Sequence, residues 1–467
     1  MSLAFLAGVF VDKYIDPTLF ASIAWLVCAI VLIGVSFWFR YVYLIPCLII
    51  GGMLFGLWRG SIAGVELSAI ESQYYKVITV SGNVREDVDT DESGHVTIRL
   101  GALNIGDKSV TGTLWVSAKT DVDIKRSDII TVKGKLAKGF GSFAGSLYNA
   151  QILNVKRPQP GDVARIARDW FADGVRTAIP EPQASLGIGY LVGQKRALPT
   201  DLVEALQIAG LTHIVVASGY NLTILVRLAR RLFEKISKYL SMLSSTMMIA
   251  SFIAVTGLSP SMSRAGLVAG LSLAAWYYGR RFHPVVLLSF AAAVTVVINP
   301  SYIWGDLGWQ LSFAAFGGVM ILAPLLQRFF FGDKKPGLIR QILGETISAV
   351  IVTAPILISA FGQFSNVAVI ANLLILPLVP LAMLLTFIAG VGALAVPSVA
   401  TIIGLPATWL LGYMTTVAQY VSQLSWAVSK FEISSVAVAL CYGVLIAICI
   451  YLSRVTKFDL KETNIIE

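Results

Sequence analysis

The sequence predicts a polytopic α-helical integral membrane protein with a small β-barrel inserted after its first membrane helices. Of its 467 residues, 56% are hydrophobic and only 13% are charged, which is far from the composition of a soluble domain. Long apolar runs fill most of the chain, whereas residues 61–157 contain short alternating runs of the kind found in strands. The net charge of +9 indicates no particular partner, because basic loops on one side of many membrane helices produce the same excess.

Residues 1–60 are predicted to hold the first transmembrane helices. The runs 19–38 and 41–58 each approach the roughly 20 residues that a bilayer requires, whereas residues 2–11 are too short. Arg40 lies in the turn between the two full spans. If that turn is cytoplasmic, the chain after Arg59 emerges on the outer face.

Residues 61–157 are predicted to form an extracytoplasmic, OB-like barrel of five strands. Three lysines and two phenylalanines near its fourth strand, given below, with Tyr148 nearby, could face single-stranded nucleic acid. The favoured alternative is that they are a solvated strand edge and part of the barrel core. The predicted strands are Val77–Val84, Val96–Leu103, Val110–Ala118, Ile129–Leu136 and Leu147–Val155, and the side chains are Lys133, Lys135, Lys138, Phe140 and Phe143.

The remaining chain divides into a linker, a helical domain and a tail. Residues 158–210 are rich in proline and amphipathic, which predicts a linker along the membrane surface. Residues 211–455 form the main transmembrane domain, and residues 456–467 form a tail that basic residues place in the cytoplasm. The spans are predicted near 211–227, 239–258, 262–278, 284–299, 311–326, 341–360, 366–395, 398–422 and 433–452.

The first span of this domain carries His213, Ser218 and Asn221, which should face protein or a hydrated cavity. On a continuous helix His213 and Ser218 lie about 140° apart, too far for a base and nucleophile pair. A hydrolase would therefore need the helix to break at Gly219. The three side chains could instead form hydrogen bonds between helices.

Further on, Arg264 lies near the outer end of a span, where it could snorkel to the interface or serve a hydrated path. Asp306 and Gln310 are four residues apart and share a helix face that could accept Arg264. Structural pairing and a conduction path both remain open. Glu345 is a further acidic residue near the cytoplasmic end of its span.

No metal or cofactor is expected. The four cysteines lie inside apolar runs, where thiols behave as small hydrophobic groups, and no spacing of His and Cys suits zinc. The chain also lacks a Gly-x-x-x-x-Gly-Lys-Ser/Thr loop, so ATP-derived energy would have to come from another protein.

Several blocks of residues together resemble the ComEC-type DNA-uptake channel proteins of natural transformation. The resemblance is carried in the barrel half by Gly52, Gly56, Arg59, Val80–Gly82, Val132–Gly134 and Gly139–Phe143. In the helical domain it is carried by Gly193–Arg196, Leu198–Pro199, Gly210–His213, Ser218–Gly219, Arg264–Ala265, Asp306–Phe313, Phe364–Ser365, Asn372–Leu374 and Pro377.

The resemblance implies a membrane channel, not an enzyme, that passes single-stranded DNA inward. Lys195, Arg196 and Arg264 would attract phosphates. His213, Ser218, Asn221, Asp306 and Gln310 would shape or hold the path. The expected partners are single-stranded DNA, the lipid bilayer, an external DNA receptor, a cytoplasmic ATPase and a separate nuclease.

Two departures from the family pattern bear on this expectation. Asn221 stands where the family usually has a second histidine. Many members also carry a C-terminal metallo-β-lactamase-like domain, whereas only residues 453–467, without a histidine, follow the last span here. We therefore expect no nuclease activity in this chain. The rival hypotheses are a transporter of a smaller solute, such as an anion or peptide, and a membrane hydrolase using His213 and Ser218.

Overall fold

The computed structural model describes residues 1–39, 41–90, 94–106, 108–194, 198–215, 218–257, 259–280, 283–332 and 336–460. The chain forms two compact units. The first unit comprises Met1–Val163 and Ser289–Trp309, and the second comprises Ala164–Leu288 and Gln310–Glu467.

Within the described residues, seven helical segments are long and apolar enough to cross a membrane. Together with the closed barrel described below, they confirm a polytopic helical membrane protein with an inserted barrel domain. The seven segments are Val42–Glu71, Lys238–Thr256, Leu307–Phe331, Leu338–Phe361, Ala368–Ala395, Pro397–Ser422 and Ser435–Thr456.

The first unit begins with three helices: α1 (Ser2–Asp12), α2 (Ile23–Phe39) and α3 (Ile45–Glu71). Glycines allow α1 to pack directly on α3. A Cβ added at Gly56 would overlap the carbonyl oxygen of Phe5, and one at Gly8 would overlap that of Met53. Such close backbone contact is how small residues join helices in membranes. It fixes the short α1 alongside the middle of α3.

Seven strands follow α3, and five of them close into a barrel in the order β1, β3, β4, β6, β5 and back to β1. The short β2 pairs with β3, and β7 extends the sheet beside β5. The strands are β1 (Val77–Val84), β2 (Asp89–Thr90), β3 (His95–Ile105), β4 (Lys108–Lys119), β5 (Ile129–Lys138), β6 (Gly145–Leu147) and β7 (Gln151–Lys156).

The prediction of five strands is correct for the first four long runs and wrong for the fifth. Residues 147–155 contribute to two strands with different partners: β6 lies between β4 and β5, whereas β7 pairs only with β5. Asn149, at a φ of 49°, turns the chain between them. Closure needs the short parallel pairing of β6 with β4, which an alternating pattern does not reveal.

The barrel interior is filled by the inward-facing side chain of every second residue, as strand geometry requires. Val80, Ile98, Leu100, Val116 and Val132 are fully buried there. Ile70, near the end of α3, also belongs to this core. The barrel and the last turn of α3 therefore share one hydrophobic core.

The rest of the chain is almost entirely helical. Two short strands, β8 (Gln363–Ser365) and β9 (Val428–Lys430), are far apart in the chain and pair as a two-stranded antiparallel sheet. A π-helical segment, Gly318–Leu322, joins α13 (Leu307–Gly317) to α14 (Ala323–Phe331). The helices are α4 (Val163–Ala178), α5 (Gln183–Val192), α6 (Thr200–Ile208), α7 (Thr212–Val215), α8 (Gly219–Glu234), α9 (Lys238–Thr256), α10 (Pro260–Tyr277), α11 (Pro284–Ile298), α12 (Tyr302–Gly305), α13 (Leu307–Gly317), α14 (Ala323–Phe331), α15 (Leu338–Phe361), α16 (Ala368–Ile375), α17 (Val379–Ala395), α18 (Ala400–Ser422) and α19 (Ser435–Thr456).

One part of the predicted surface linker lies in a core. Every residue of α5 from Ala184 to Tyr190 is buried, and its apolar side chains belong to the largest hydrophobic cluster of the second unit, with α17 and α18. Glycines permit this position, since a Cβ at Gly187 would press on Thr386 of α17. Helix α5 is therefore part of the helical domain.

The predicted span 211–227 is wrong as a continuous helix. Helix α7 is four residues long, Ser218 is extended, and a new helix begins at Gly219. Helix α8 also carries three arginines in its second half, so its composition is that of an amphipathic helix. Helix α10 occupies the predicted span 262–278 but is not among the seven apolar candidates, because serines, glycines and Arg264 interrupt it.

Candidate functional site

The first turn of α8 is defined by the side chain of Ser218. Its backbone is extended, with φ −118° and ψ 163°, and its Oγ accepts a hydrogen bond from the backbone N–H of Asn221 at 3.4 Å. This is the geometry of a serine N-cap. The serine of the predicted polar stretch thus begins α8.

Asn221 lies in the interior of the second unit. Its side chain is fully buried, and Nδ2 donates to the backbone carbonyl of Tyr190 at 3.1 Å. Oδ1 has no hydrogen-bond partner among the described residues. Asn221 therefore joins α8 to α5, in keeping with the predicted role in hydrogen bonding between helices.

Arg264 lies on α10 and is only 8% exposed. Its Nη1 donates to the backbone carbonyl of Ser312 on α13 at 3.0 Å. The guanidinium carbon lies 5.7 Å from the ring centroids of both Phe313 and Phe316. These aromatic faces stabilise a cation without neutralising it.

No carboxylate pairs with Arg264 in the described part of its own unit. Its buried Nε has no hydrogen-bond partner among the described residues. A buried cation normally has an anionic partner, because removing a charge from water is costly. Arg264 is therefore a strong candidate for binding an anion.

The first turn of α8 lies directly beside Arg264. A Cβ at Gly219 would lie 3.1 Å from the Cβ of Ala265 and 3.4 Å from Nη2 of Arg264. The missing side chain of Gly219 lets the two helices approach this closely. The structure thus places Arg264 beside the helix turn that carries Ser218 and Asn221 of the predicted set, with the contact made at Gly219.

His213 is placed differently. It lies on the short α7, where the residue is accessible although protein atoms surround the imidazole on most sides, and it interacts with the backbone of Gly210. That turn is held by Ser365, whose hydroxyl donates to the carbonyl of Ile208 at 2.6 Å. The break at Gly219 that a hydrolase would need is present, but the Ser218 hydroxyl caps α8 and has no hydrogen bond to His213 among the described residues.

Asp306 belongs to the first unit, where it caps α13. Its Oδ1 accepts from the backbone N–H of Trp309 at 2.7 Å, and its Oδ2 accepts from the hydroxyl of Ser142 at 3.2 Å. Asp306 thereby anchors the barrel loop between β5 and β6. Gln310 follows on the same helix and is half-buried in the second unit. Pairing of Arg264 with Asp306 stays a prediction.

Three further predicted positions are Lys195, Arg196 and Glu345. Lys195 and Arg196 lie outside the described residues. Glu345, on α15, accepts a hydrogen bond from Nε2 of Gln341 at 2.9 Å.

Two of the predicted barrel residues, Phe140 and Phe143, belong to an aromatic cluster that the sequence only partly indicated. Lys133, Lys135 and Lys138 are exposed, Phe140 is 47% exposed and Phe143 is half-buried. The cluster also contains Trp115, which was not among the predicted residues. Its ring centroid lies 5.6 Å from that of Phe140 and 5.2 Å from that of Tyr148. Its outward position between Leu114 and Val116 is readable from the alternation of β4.

Several buried polar atoms of the second unit were also missed. They are scattered over different helices and have no hydrogen-bond partner among the described residues. A buried polar atom without a partner costs about 1–3 kcal/mol, so water or a ligand is expected to reach such atoms. Besides Asn221 Oδ1 and Arg264 Nε, they include Arg230 Nε and Nη1, Ser245 Oγ, Ser272 Oγ, Thr346 Oγ1, Ser348 Oγ and Asn372 Oδ1.

Comparison with known proteins gives one family and one relative. A family model described as Competence protein matches residues 190–455. ComE operon protein 3 of Bacillus subtilis (strain 168) is 26% identical over 218 residues, which make up 45% of this chain and 27% of that protein. The alignment thus covers far less than the whole relative. No solved structure matches the chain.

Proposed function

The chain belongs to the competence protein family, and from this membership we propose that it is a channel for importing single-stranded transforming DNA across the cytoplasmic membrane. The proposal describes a transport protein without catalytic activity of its own.

The observation that carries the proposal is the buried, uncompensated charge of Arg264. An arginine costs roughly 2.5–3.5 kcal/mol at the centre of a membrane helix on insertion scales and less toward the interface, so the buried Arg264 benefits from a compensating interaction. A DNA strand supplies one negative charge per nucleotide, and guanidinium groups bind phosphate oxygens well. An import path for a polyanion therefore accounts for a buried guanidinium whose Nε has no hydrogen-bond partner among the described residues.

The buried polar atoms without partners support a hydrated path through the helical domain, because water would satisfy them. Lys195 and Arg196 would attract phosphates near the outer surface. His213, Ser218, Asn221, Asp306 and Gln310 would shape the path or hold its walls.

We place the barrel outside the cell and residues 456–467 in the cytoplasm, because the basic loops then fall on the cytoplasmic side. Phe140 and Phe143, with Trp115 and Tyr148, would offer bases a stacking surface, and Lys133, Lys135 and Lys138 would offer positive charge. An external DNA receptor would deliver the strand, a cytoplasmic ATPase would drive its import, and a separate nuclease would degrade its complement.

The test is transformation frequency, together with entry of labelled DNA into the cytoplasm, in a deletion strain. Wild type should restore both, whereas Arg264→Ala at equal membrane level should not. Arg231→Ala, which removes an exposed arginine from α8, is the matched control and should behave as wild type. Unchanged DNA entry in a competent deletion strain would contradict the proposal and favour a transporter of a smaller anion or peptide.

A further inference from the structure

We infer that the first turn of α8 and the guanidinium of Arg264 together form a binding site for a single phosphate group of the transported strand. The inference rests on the proposed function, since it names the part of the strand that this site holds.

The start of α8 has free hydrogen-bond donors. The Ser218 hydroxyl satisfies the N–H of Asn221, and the N–H of Leu222 bonds to the carbonyl of Ser218. The N–H groups of Gly219 and Tyr220 have no acceptor among the described residues. The aligned peptides of this 16-residue helix also place about half a positive charge at this end. The turn is therefore ready to receive an anion.

Arg264 adds a second, independent observation. Its side chain is more than nine-tenths buried, its Nε is unpartnered, and its Nη2 reaches the first turn beside Gly219. A cation is stabilised at the C-terminus of a helix and repelled at the N-terminus. With no carboxylate paired to Arg264 in this unit, an anion between the two positive groups would turn this repulsion into attraction.

The arrangement suits a phosphate better than a spherical anion. A phosphate presents several oxygens, which can accept at once from backbone N–H groups and from the forked guanidinium. Nη1 is already fixed on the Ser312 carbonyl, and Phe313 and Phe316 flank the guanidinium. These contacts leave Nε and Nη2 as the donors available to a ligand. Gly219 has no side chain to keep a ligand away from the backbone.

The experiment uses the full chain reconstituted in nanodiscs of zwitterionic lipid, with inorganic phosphate as the first probe. Its readout is the melting temperature in phosphate relative to chloride at equal ionic strength. Phosphate stabilises folded proteins in general, so the measured quantity is the difference between variants. Wild type and Arg231→Gln should gain more from phosphate than Arg264→Gln does.

A second arm uses a fluorescent oligothymidylate. Arg264→Gln should raise its Kd by at least about tenfold, the loss expected for a charge-assisted phosphate contact. Arg264→Lys should lose less affinity than Arg264→Gln, because lysine keeps the positive charge although it lacks the forked donors of the guanidinium. Gly219→Ala keeps every charge but presses on Ala265, so it should also weaken binding. Melting in chloride shows whether each variant is folded.

Equal phosphate stabilisation in wild type and a folded Arg264→Gln would overturn the inference, as would unchanged oligonucleotide affinity. Binding of inorganic phosphate without any effect of Arg264 on the oligonucleotide would assign the site to free phosphate and would also overturn it. Neither result would contradict the proposed function if labelled DNA still entered the cytoplasm only in cells that contain this chain.

Discussion

At the scale of single residues, several positions of the family-like blocks have structural roles that their chemistry explains. Arg59 donates from Nε to the carbonyl of Val297 at 2.8 Å and from Nη2 to that of Ile298 at 3.1 Å. It thereby caps the last carbonyls of α11, where a positive charge is favourable. Gly56 serves the contact of α1 with α3. These residues build the scaffold. Arg264 also bonds a backbone carbonyl, that of Ser312, but its buried Nε has no hydrogen-bond partner among the described residues.

Asp306 offers a residue-scale prediction. Because its carboxylate accepts the N–H of Trp309 at the start of α13, Asp306→Ala should cost about 1 kcal/mol, whereas Asp306→Asn should be close to wild type. Thermal unfolding of the reconstituted chain measures the difference. If the negative charge of Asp306 instead pairs with Arg264, Asp306→Asn will lose as much stability as Asp306→Ala. A double-mutant cycle with Arg264→Gln will then be non-additive.

The sequence was informative about which residues are unusual but not about what they contact. Polar atoms in an apolar run marked His213, Ser218, Asn221 and Arg264 as residues that need protein or water around them. Their neighbours are set by helix packing, which depends on residues far away in the chain, such as Tyr190 and Ser312. The Ser218 cap had a local signal, since serine is one of the preferred N-cap residues. The apolar run around it concealed that signal.

At the scale of elements, the pairing of α1 with α3 depends on backbone contact. Gly56→Ala should lower the melting temperature of the reconstituted chain, because its Cβ meets the Phe5 carbonyl and overpacking costs about 1–3 kcal/mol. The matched control is Gly34→Ala on α2, where nothing lies within 4 Å of the added Cβ. That change should be neutral or slightly stabilising. Equal effects of the two substitutions would contradict this packing.

The barrel supplies a second prediction at this scale, in the loop before β5. Asp128 has a side chain 1% exposed and accepts from Nε and Nη2 of Arg157, both at 3.0 Å. This bond raises the pKa of the Arg157 guanidinium. Asp128→Ala should cost about 2 kcal/mol, less than for a fully buried pair because Arg157 can turn to water.

Hydrogen exchange of β5 and β7 measures that cost. The control is Asp123→Ala in the same loop, since Asp123 is 64% exposed and pairs only with Lys125 in the described structure. It should change stability by less than about 0.5 kcal/mol. Similar exchange in both variants would show that the buried pair does not hold the barrel.

Elements with strong local patterns were predictable, and those created by tertiary contacts were not. The alternation of β1 gave its bounds, Val77–Val84, without error. The division of residues 147–155 into β6 and β7 follows from barrel closure, which no local pattern encodes. Helix α5 resembled a surface segment because it is short and flanked by prolines, yet α17 and α18 bury it.

At the scale of the whole molecule, the proposed topology predicts accessibility from opposite sides. Cysteines replacing Val122 in the barrel and Val455 near the end of α19 are both at exposed positions. A membrane-impermeant thiol reagent should label Val122→Cys in intact cells and Val455→Cys only after permeabilisation. Labelling in the reverse pattern would invert the proposed orientation.

The central claim is that single-stranded DNA passes beside Arg264, and site-specific crosslinking during uptake tests it most directly. A photoreactive amino acid replacing Phe316, whose ring contacts the guanidinium, should capture labelled DNA in a form sensitive to a single-strand-specific nuclease. The same group replacing Ile446, exposed on α19, should capture lipid and no DNA. Captured DNA at position 316 alone is the predicted result. DNA import that proceeds without any adduct at position 316, or with equal adducts at both positions, would contradict the account.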